Sequence, residues 1–164
     1  MDCVRAEDIP VSMVKDVLVF QSDAFSLEPP LSERGIRYDL PLGDDIAACL
    51  KERLESMGVV WKLHDPVRED YGAVLMLDRE KDVFTITTTW QGGNSWALVF
   101  SQLRGCFGWF LNRKPKAQAQ QAIEEIKALV NEVVLADAER FQNPSWIADD
   151  DFPGVAQNFV IPDR

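Results

Sequence analysis

The stretch VFTITTTW (83–90) decides the fold that this sequence predicts. Neighbouring side chains of a strand point to opposite faces of its sheet, so this alternation of apolar residues and threonines predicts a half-buried strand. Because threonines suit a solvated face, we expect the sheet to be covered on one side only. The predicted core face carries Phe84, Ile86, Thr88 and Trp90, and the predicted solvated face carries Val83, Thr85, Thr87 and Thr89.

Further strands are predicted on both sides of this stretch. The loop QGGNS (91–95) contains the glycines that a hairpin turn needs, and WALVFSQL (96–103) continues the alternation. On the other side, DREKD (78–82) is a charged turn. The remaining strands are predicted at 71–77, at 59–63 and within 13–22, where β-branched and aromatic residues cluster.

Two helices are predicted to cover the apolar face of the sheet. The segment 43–58 has apolar residues at helical spacing, Asp44 as the expected N-cap and Gly58 as the expected left-handed residue after its end. The segment 116–140 carries a second apolar stripe with charged residues opposite it.

These elements predict an α+β fold, a two-layer sandwich. Its mainly antiparallel sheet would have about five strands, in the chain order β-α-β-β-β-β-α, with both helices on one face. The 164 residues, 46% of them hydrophobic, suffice for one ordinary core. We expect a single domain over 1–140, and an extended acidic C-terminal tail over 141–164 that packs on the domain or trails from it.

The net charge of −10 limits the partners that this chain is expected to bind. It argues against direct binding to nucleic acid or to an anionic membrane, and it suits a protein partner with a basic surface, such as a toxin or a nucleic-acid-binding protein. The alternative is that the charge only maintains solubility. Three widely spaced cysteines, no signal peptide and no long apolar segment predict a cytoplasmic protein.

The stretch LHDPVREDYG (63–72) contains the candidate catalytic residues. It holds the only histidine, His64, which could work as an acid–base pair with Glu69 or Asp70 if the loop folds back. No metal-ligand spacing or phosphate-binding motif accompanies them, so we predict no metal site and no cofactor. The alternative interpretation is a polar loop in which Pro66 interrupts strand pairing and the acids cap a turn.

The candidate binding residues come from the same stretch and from a basic loop. Asp65, Glu69, Asp70 and Tyr71 would present acidic and aromatic groups to a partner. Trp109 and Phe110 lie in a glycine-punctuated basic loop, where exposed aromatics would form a protein-contact hot spot. The alternative is that these two aromatics fill the end of the core under the second helix.

The chain resembles a family of small, acidic, uncharacterised bacterial proteins. Members have a "G..LA..L...L...G" helix, a "P..ED[WY]G" element, and a "GN"-containing turn before a tryptophan. The similarity covers roughly residues 17–137, and EDYG is its most specific part; Ala73 departs from it, since a second aromatic often follows the motif glycine. The matching residues are Gly43, Ile46, Ala47, Leu50, Leu54 and Gly58, then Pro66, Glu69, Asp70, Tyr71 and Gly72, then Gly93, Asn94 and Trp96. The resemblance implies one compact α+β domain and no catalytic role.

Three functional hypotheses follow. The first is a non-enzymatic protein-binding module, immunity-like or regulatory, because the chain also loosely resembles the acidic immunity proteins that neutralise bacterial toxins. It would contact a basic partner through the 65–70 loop, the 23–45 connection and the tail. The second is a small hydrolase or transferase that uses His64 with Glu69 or Asp70. The third is a homodimer joined through the open sheet face or an edge strand.

Overall fold

The alternating segments form one antiparallel sheet, and two helices accompany it. The computed structural model describes residues 16–80, 82–103 and 116–148. Within these residues the elements are β1 (Asp16–Gln21), α1 (Asp44–Ser56), β2 (Lys62–Leu63), β3 (Val67–Glu69), β4 (Gly72–Arg79), β5 (Asp82–Gly92), β6 (Ser95–Leu103), α2 (Lys116–Ala136) and β7 (Gln142–Ala148). The α+β class is therefore confirmed.

The strand order across the sheet is β2-β4-β5-β6-β1-β7, and β3 also pairs with β4. All these pairings are antiparallel. The central hairpin of β5 and β6 turns at Gly92 and Gly93, which both have positive φ as the predicted hairpin turn requires.

The described residues contain seven strands, so the expectation of about five is wrong. Strand β3 was missed because its three residues follow Pro66 within an acidic segment. Strand β7 lies in the predicted tail, where Asn143 and Pro144 suggest a loop. It nevertheless pairs with β1 from Gln142 to Ala148, and the register of this pairing shifts once, between Val19 and Gln21. Both strands form because β4 and β1 offer them partners, although their own residues have a weak preference for strand structure.

One hydrophobic cluster contains residues of both helices and of the sheet, and the strand registers put its sheet residues on a single face, here called the core face. From the sheet it takes residues that include Phe84, Ile86, Trp96, Leu98 and Phe100, as the alternation predicts. Each large side chain buried in this way contributes about 1.5–3 kcal/mol to stability. The cluster's residues from the helices are Ile46, Leu50 and Leu54 of α1 and Ala122, Ile123, Ile126, Val130, Val133 and Val134 of α2.

The opposite face of the sheet, here called the second face, is less solvated than the threonines suggest. Thr85 is 7% exposed and Thr89 is 1% exposed, so the prediction of a solvated face is wrong for these two residues. Their hydroxyl groups pair within the sheet: Thr85 Oγ1 lies 2.8 Å from the Ser101 hydroxyl, and Thr89 Oγ1 accepts a hydrogen bond from the Gln91 amide. A buried threonine is tolerated when its hydroxyl is paired in this way.

Helix α1 begins one residue earlier than the sequence suggests. Gly43 is the N-cap residue with φ of 73°, and Asp44 is the first helical residue, so the expected N-cap is wrong by one position. Gly43 lies against Thr88 and Trp96, where a Cβ atom would be crowded. At the other end, Gly58 has φ of +67°, which confirms the predicted left-handed residue.

The long connection between β1 and α1 is anchored along its length. Leu31 and Arg37 form a short antiparallel bridge, and the Tyr38 N–H donates to the Pro30 carbonyl. At its end, the Leu42 carbonyl accepts a hydrogen bond from the Ala73 N–H of β4. The connection is therefore held beside the β3–β4 end of the sheet.

Candidate protein-binding surface

The EDYG element forms the turn of the β3–β4 hairpin. Glu69 pairs with Gly72, so Asp70 and Tyr71 are the two residues of the loop. Neither has positive φ, so the turn is not of the primed types that usually close such hairpins. Gly72 is required for a different reason: a Cβ atom there would overlap the backbone carbonyl oxygen of Thr88 on β5.

This turn exposes two carboxylates. Glu69 and Asp70 are both exposed. Within the described residues, neither side chain forms a hydrogen bond or an ion pair. These carboxylates therefore keep their full capacity to accept hydrogen bonds from another molecule.

Tyr71 stands beside them with 45% of its surface exposed. Partial burial raises the pKa of its hydroxyl above the ordinary value of 10.0, and the nearby Glu69 carboxylate raises this pKa further. The phenol is consequently neutral at physiological pH and can both donate and accept a hydrogen bond.

One exposed aliphatic residue lies on β3, and another lies on the connection that Arg68 contacts. Val67 of β3 is 43% exposed, and Leu31 of the connection is 52% exposed. Arg68 holds the two segments together, because its Nη1 donates to the Leu31 carbonyl at 2.9 Å and its Nε pairs with Asp44 Oδ1 at 2.9 Å. We call the exposed side chains of Leu31, Val67, Glu69, Asp70 and Tyr71 the acidic-turn surface.

Sequence reasoning found three of these five residues and missed Leu31 and Val67. The only local signal for Leu31 was the preceding Pro29-Pro30 pair, which marked a surface connection. Its place beside β3 depends on Arg68, a contact across 37 positions of the chain. No periodicity in a single segment reveals such a contact.

Asp65, another predicted binding residue, contacts helix α1. Its carboxylate lies 3.4 Å from the ammonium of Lys51, and its side chain is 97% exposed. Lys51 also pairs with Glu55 at 3.0 Å. The hydrogen bond that Lys51 donates to Glu55 is the largest cause of the raised pKa of Lys51; the lowering by burial comes next in size, and Asp65 raises this pKa by a smaller amount.

His64 pairs with a residue that the sequence did not single out. Its Nε2 lies 3.0 Å from Asp78 Oδ1 across the β2–β4 edge, and its backbone N–H donates to the Met76 carbonyl. Within the described part of the chain, no hydrogen bond or ion pair joins His64 to Glu69 or Asp70. His64 and Asp78 form a half-exposed pair in which the carboxylate can orient the imidazole.

Other predicted features concern metals, membranes and the basic loop. Across residues 16–80, 82–103 and 116–148, no three His, Cys, Asp or Glu side chains cluster as metal ligands. No helix in these same ranges has the length and apolar character to cross a membrane. Trp109 and Phe110 lie outside the described residues.

The comparisons with known proteins add no relative. No family model, no curated protein and no solved structure matches this chain.

Proposed function

We propose that this protein is a non-enzymatic, cytoplasmic protein-binding module, immunity-like or regulatory, that contacts a basic protein through the acidic-turn surface. One observation carries the proposal: Glu69 and Asp70 are exposed beside the half-exposed Tyr71, and neither has a partner among the residues that the structure describes. The proposal also takes the two helices as one layer and the sheet as the other, which leaves the β3–β4 turn at a free edge.

The chemistry of this surface suits a lysine- or arginine-rich partner. Unpaired carboxylates can form charge-assisted hydrogen bonds with such cations. Tyr71, Val67 and Leu31 add apolar contact area, and tyrosine is enriched among the residues that dominate binding energy. The overall charge of −10 would accelerate encounter with a basic surface, most strongly at low salt.

A capture experiment from native lysate tests this proposal. The tagged full-length chain should retain a basic protein at low salt and release it at high salt. The triple variant Glu69→Gln, Asp70→Asn, Tyr71→Ala should bind the same purified partner at least tenfold more weakly in calorimetry, because truncating a hot-spot group costs about 2 kcal/mol.

The matched control removes the same charge elsewhere. Glu132→Gln with Glu139→Gln also changes the net charge by two, at exposed positions on α2 and the turn after it. This control should bind like the wild-type chain. Equal weakening in both variants would mean that only net charge matters, and the acidic-turn surface would then not be the binding site.

A second candidate function is a small hydrolase or transferase that uses His64. The observation that favours it is the Asp78 carboxylate 3.0 Å from the imidazole, since an oriented histidine can serve as a general base. His64→Ala should then abolish an activity found by broad substrate screening. An activity that survives this substitution would exclude His64 from catalysis.

A further inference from the structure

A cavity lies between the start of helix α1 and the connection that joins β1 to this helix. Its volume is about 390 Å³, near the lower end of the range that is usual for ligand-binding pockets. The connection contributes Pro29, Pro30 and Leu31 to the lining, and the start of α1 contributes Gly43 and Asp45. Because Leu31 also belongs to the acidic-turn surface, the cavity adjoins that surface.

Hydrogen bonds of the chain itself hold the wall of this cavity in shape. Within the connection, the Tyr38 N–H donates to the Pro30 carbonyl at 3.0 Å. Towards the sheet, the Leu31 carbonyl accepts a hydrogen bond from Arg68 of β3 at 2.9 Å. A wall that is already ordered lowers the conformational cost of binding another molecule.

Part of the lining is apolar. Leu42 is 1% exposed, Pro29 and Pro30 are half-buried, and Leu31 is 52% exposed. Such a surface suits the aliphatic stem of a long basic side chain, because lysine and arginine can lay their methylene groups along apolar surface while the charged head stays in a polar environment.

The charged part of the lining is net negative. It contains the carboxylates of Glu28, Asp44 and Asp45 and one guanidinium, that of Arg37. Asp44 is paired with Arg68 at 2.9 Å. Neither Glu28 nor Asp45 forms an ion pair within the described residues. Two carboxylates of the lining therefore remain against its single guanidinium.

These two carboxylates have hydrogen-bonding capacity left for a cation. Asp45 Oδ2 accepts a hydrogen bond from the Ser26 N–H at 2.7 Å, and Asp45 Oδ1 accepts one from the Ile46 N–H at 3.0 Å. Each carboxylate oxygen has two lone pairs, so each oxygen of Asp45 can accept one more hydrogen bond. Glu28 is exposed, and no described residue donates to its carboxylate.

We propose that this cavity receives an arginine side chain of the basic protein partner, an inference that rests on the proposed function. The stem of the arginine packs along Pro29, Pro30 and Leu31, and its guanidinium donates to the carboxylates of Glu28 and Asp45. Arginine suits this cavity better than lysine does, because a planar guanidinium can pair with a carboxylate through two hydrogen bonds and is more weakly hydrated than an ammonium.

A nuclear magnetic resonance titration of the isotope-labelled full-length chain tests this inference without the partner. The probe is a glycine–arginine–glycine tripeptide with blocked ends. The amide signals of Gly43 and Asp45 should shift saturably, and those of Asp70 and Tyr71 should shift less. The same tripeptide with citrulline, the neutral isostere of arginine, should bind about fivefold more weakly, because it loses the charge-assisted hydrogen bonds. Equal binding of the two tripeptides, shifts confined to Asp70 and Tyr71, or no shift at all overturns the inference.

Two single substitutions on the connection give a matched comparison. Glu28→Gln removes a carboxylate of the lining and should weaken binding of the arginine tripeptide about threefold, as expected for an exposed ion pair. Glu33→Gln removes the same charge at another exposed position of the connection, outside the lining, and should leave the affinity unchanged. Equal weakening in both variants overturns the inference.

This inference and the proposed function fail separately. If the chain retains a basic partner from lysate but the tripeptide does not bind in the cavity, the proposed function stands and the arginine site is overturned. If the tripeptide binds in the cavity but no basic partner is retained at low salt, the arginine site stands and the proposed function is overturned.

Discussion

The chain has two polar sites beside strand β4, and the fold treats them in opposite ways. At one end of the strand, His64 and Asp78 pair with each other at 3.0 Å. At the other end, Glu69 and Asp70 are exposed on a hairpin turn and have no partner within the described residues. The first site holds the only histidine of the sequence, but the second has carboxylates that no described residue binds.

The difference shows how polar residues can be sorted by function. Groups that are hydrogen-bonded to each other have part of their bonding capacity already used. Exposed carboxylates that have no partner among the described residues remain available for another molecule. Gly72 is needed beside them for a steric reason, because a Cβ atom there would overlap the Thr88 carbonyl oxygen.

The largest expected effect comes from Gly72→Ala. A Cβ atom would overlap the Thr88 carbonyl oxygen, which belongs to the backbone of the neighbouring strand and cannot rotate away. We expect a loss of about 3 kcal/mol or more in the free energy of unfolding. Urea denaturation followed by tryptophan fluorescence measures it.

Gly58→Ala is the matched control for Gly72→Ala. Gly58 has φ of +67° and no neighbouring atom within 4 Å of the added Cβ. Only the conformational cost of a left-handed residue applies, about 1 kcal/mol. If both variants lose the same stability, close backbone approach is not what requires glycine at position 72.

A smaller effect is expected for the His64–Asp78 pair. The two side chains are 37% and 27% exposed, so solvent screens their interaction. A double-mutant cycle with His64→Ala and Asp78→Asn should give a coupling energy below about 1 kcal/mol. A coupling above about 2 kcal/mol would show that this pair is a stronger structural element than its exposure suggests.

The smallest effect concerns the titration of Tyr71. It is measured by ultraviolet absorbance, with the Tyr71→Phe variant as the reference. Glu69→Gln should lower the pKa of Tyr71, because it removes the nearby negative charge, yet leave this pKa above 10.0, because burial is the larger cause. A raised pKa means that the folded state retains the phenol proton longer than the unfolded state. The free energy of unfolding should therefore fall as the pH rises above 10.0. If the pKa of Tyr71 is unchanged in Glu69→Gln, the Glu69 carboxylate lies too far from the phenol to affect its titration.

Local patterns predicted much of the fold. Alternation placed Phe84, Ile86, Trp96, Leu98 and Phe100 correctly on the core face, because the two-residue period is imposed by strand geometry itself. Helical spacing placed Ile46, Leu50 and Leu54 correctly for the same kind of reason. The two strands that were not predicted, β3 and β7, have weak local signals and depend on pairing with β4 and β1.

The sequence by itself determined which side of each long strand and helix faces the core, since that information repeats every two or four residues. It also placed Glu69 and Asp70 in a polar segment just before a strand. Only the tertiary structure decided that His64 pairs with Asp78, that Leu31 lies beside β3, and that Gly72 must lack a side chain. Each of these depends on one contact between distant segments, and a single contact has no period that a sequence could display.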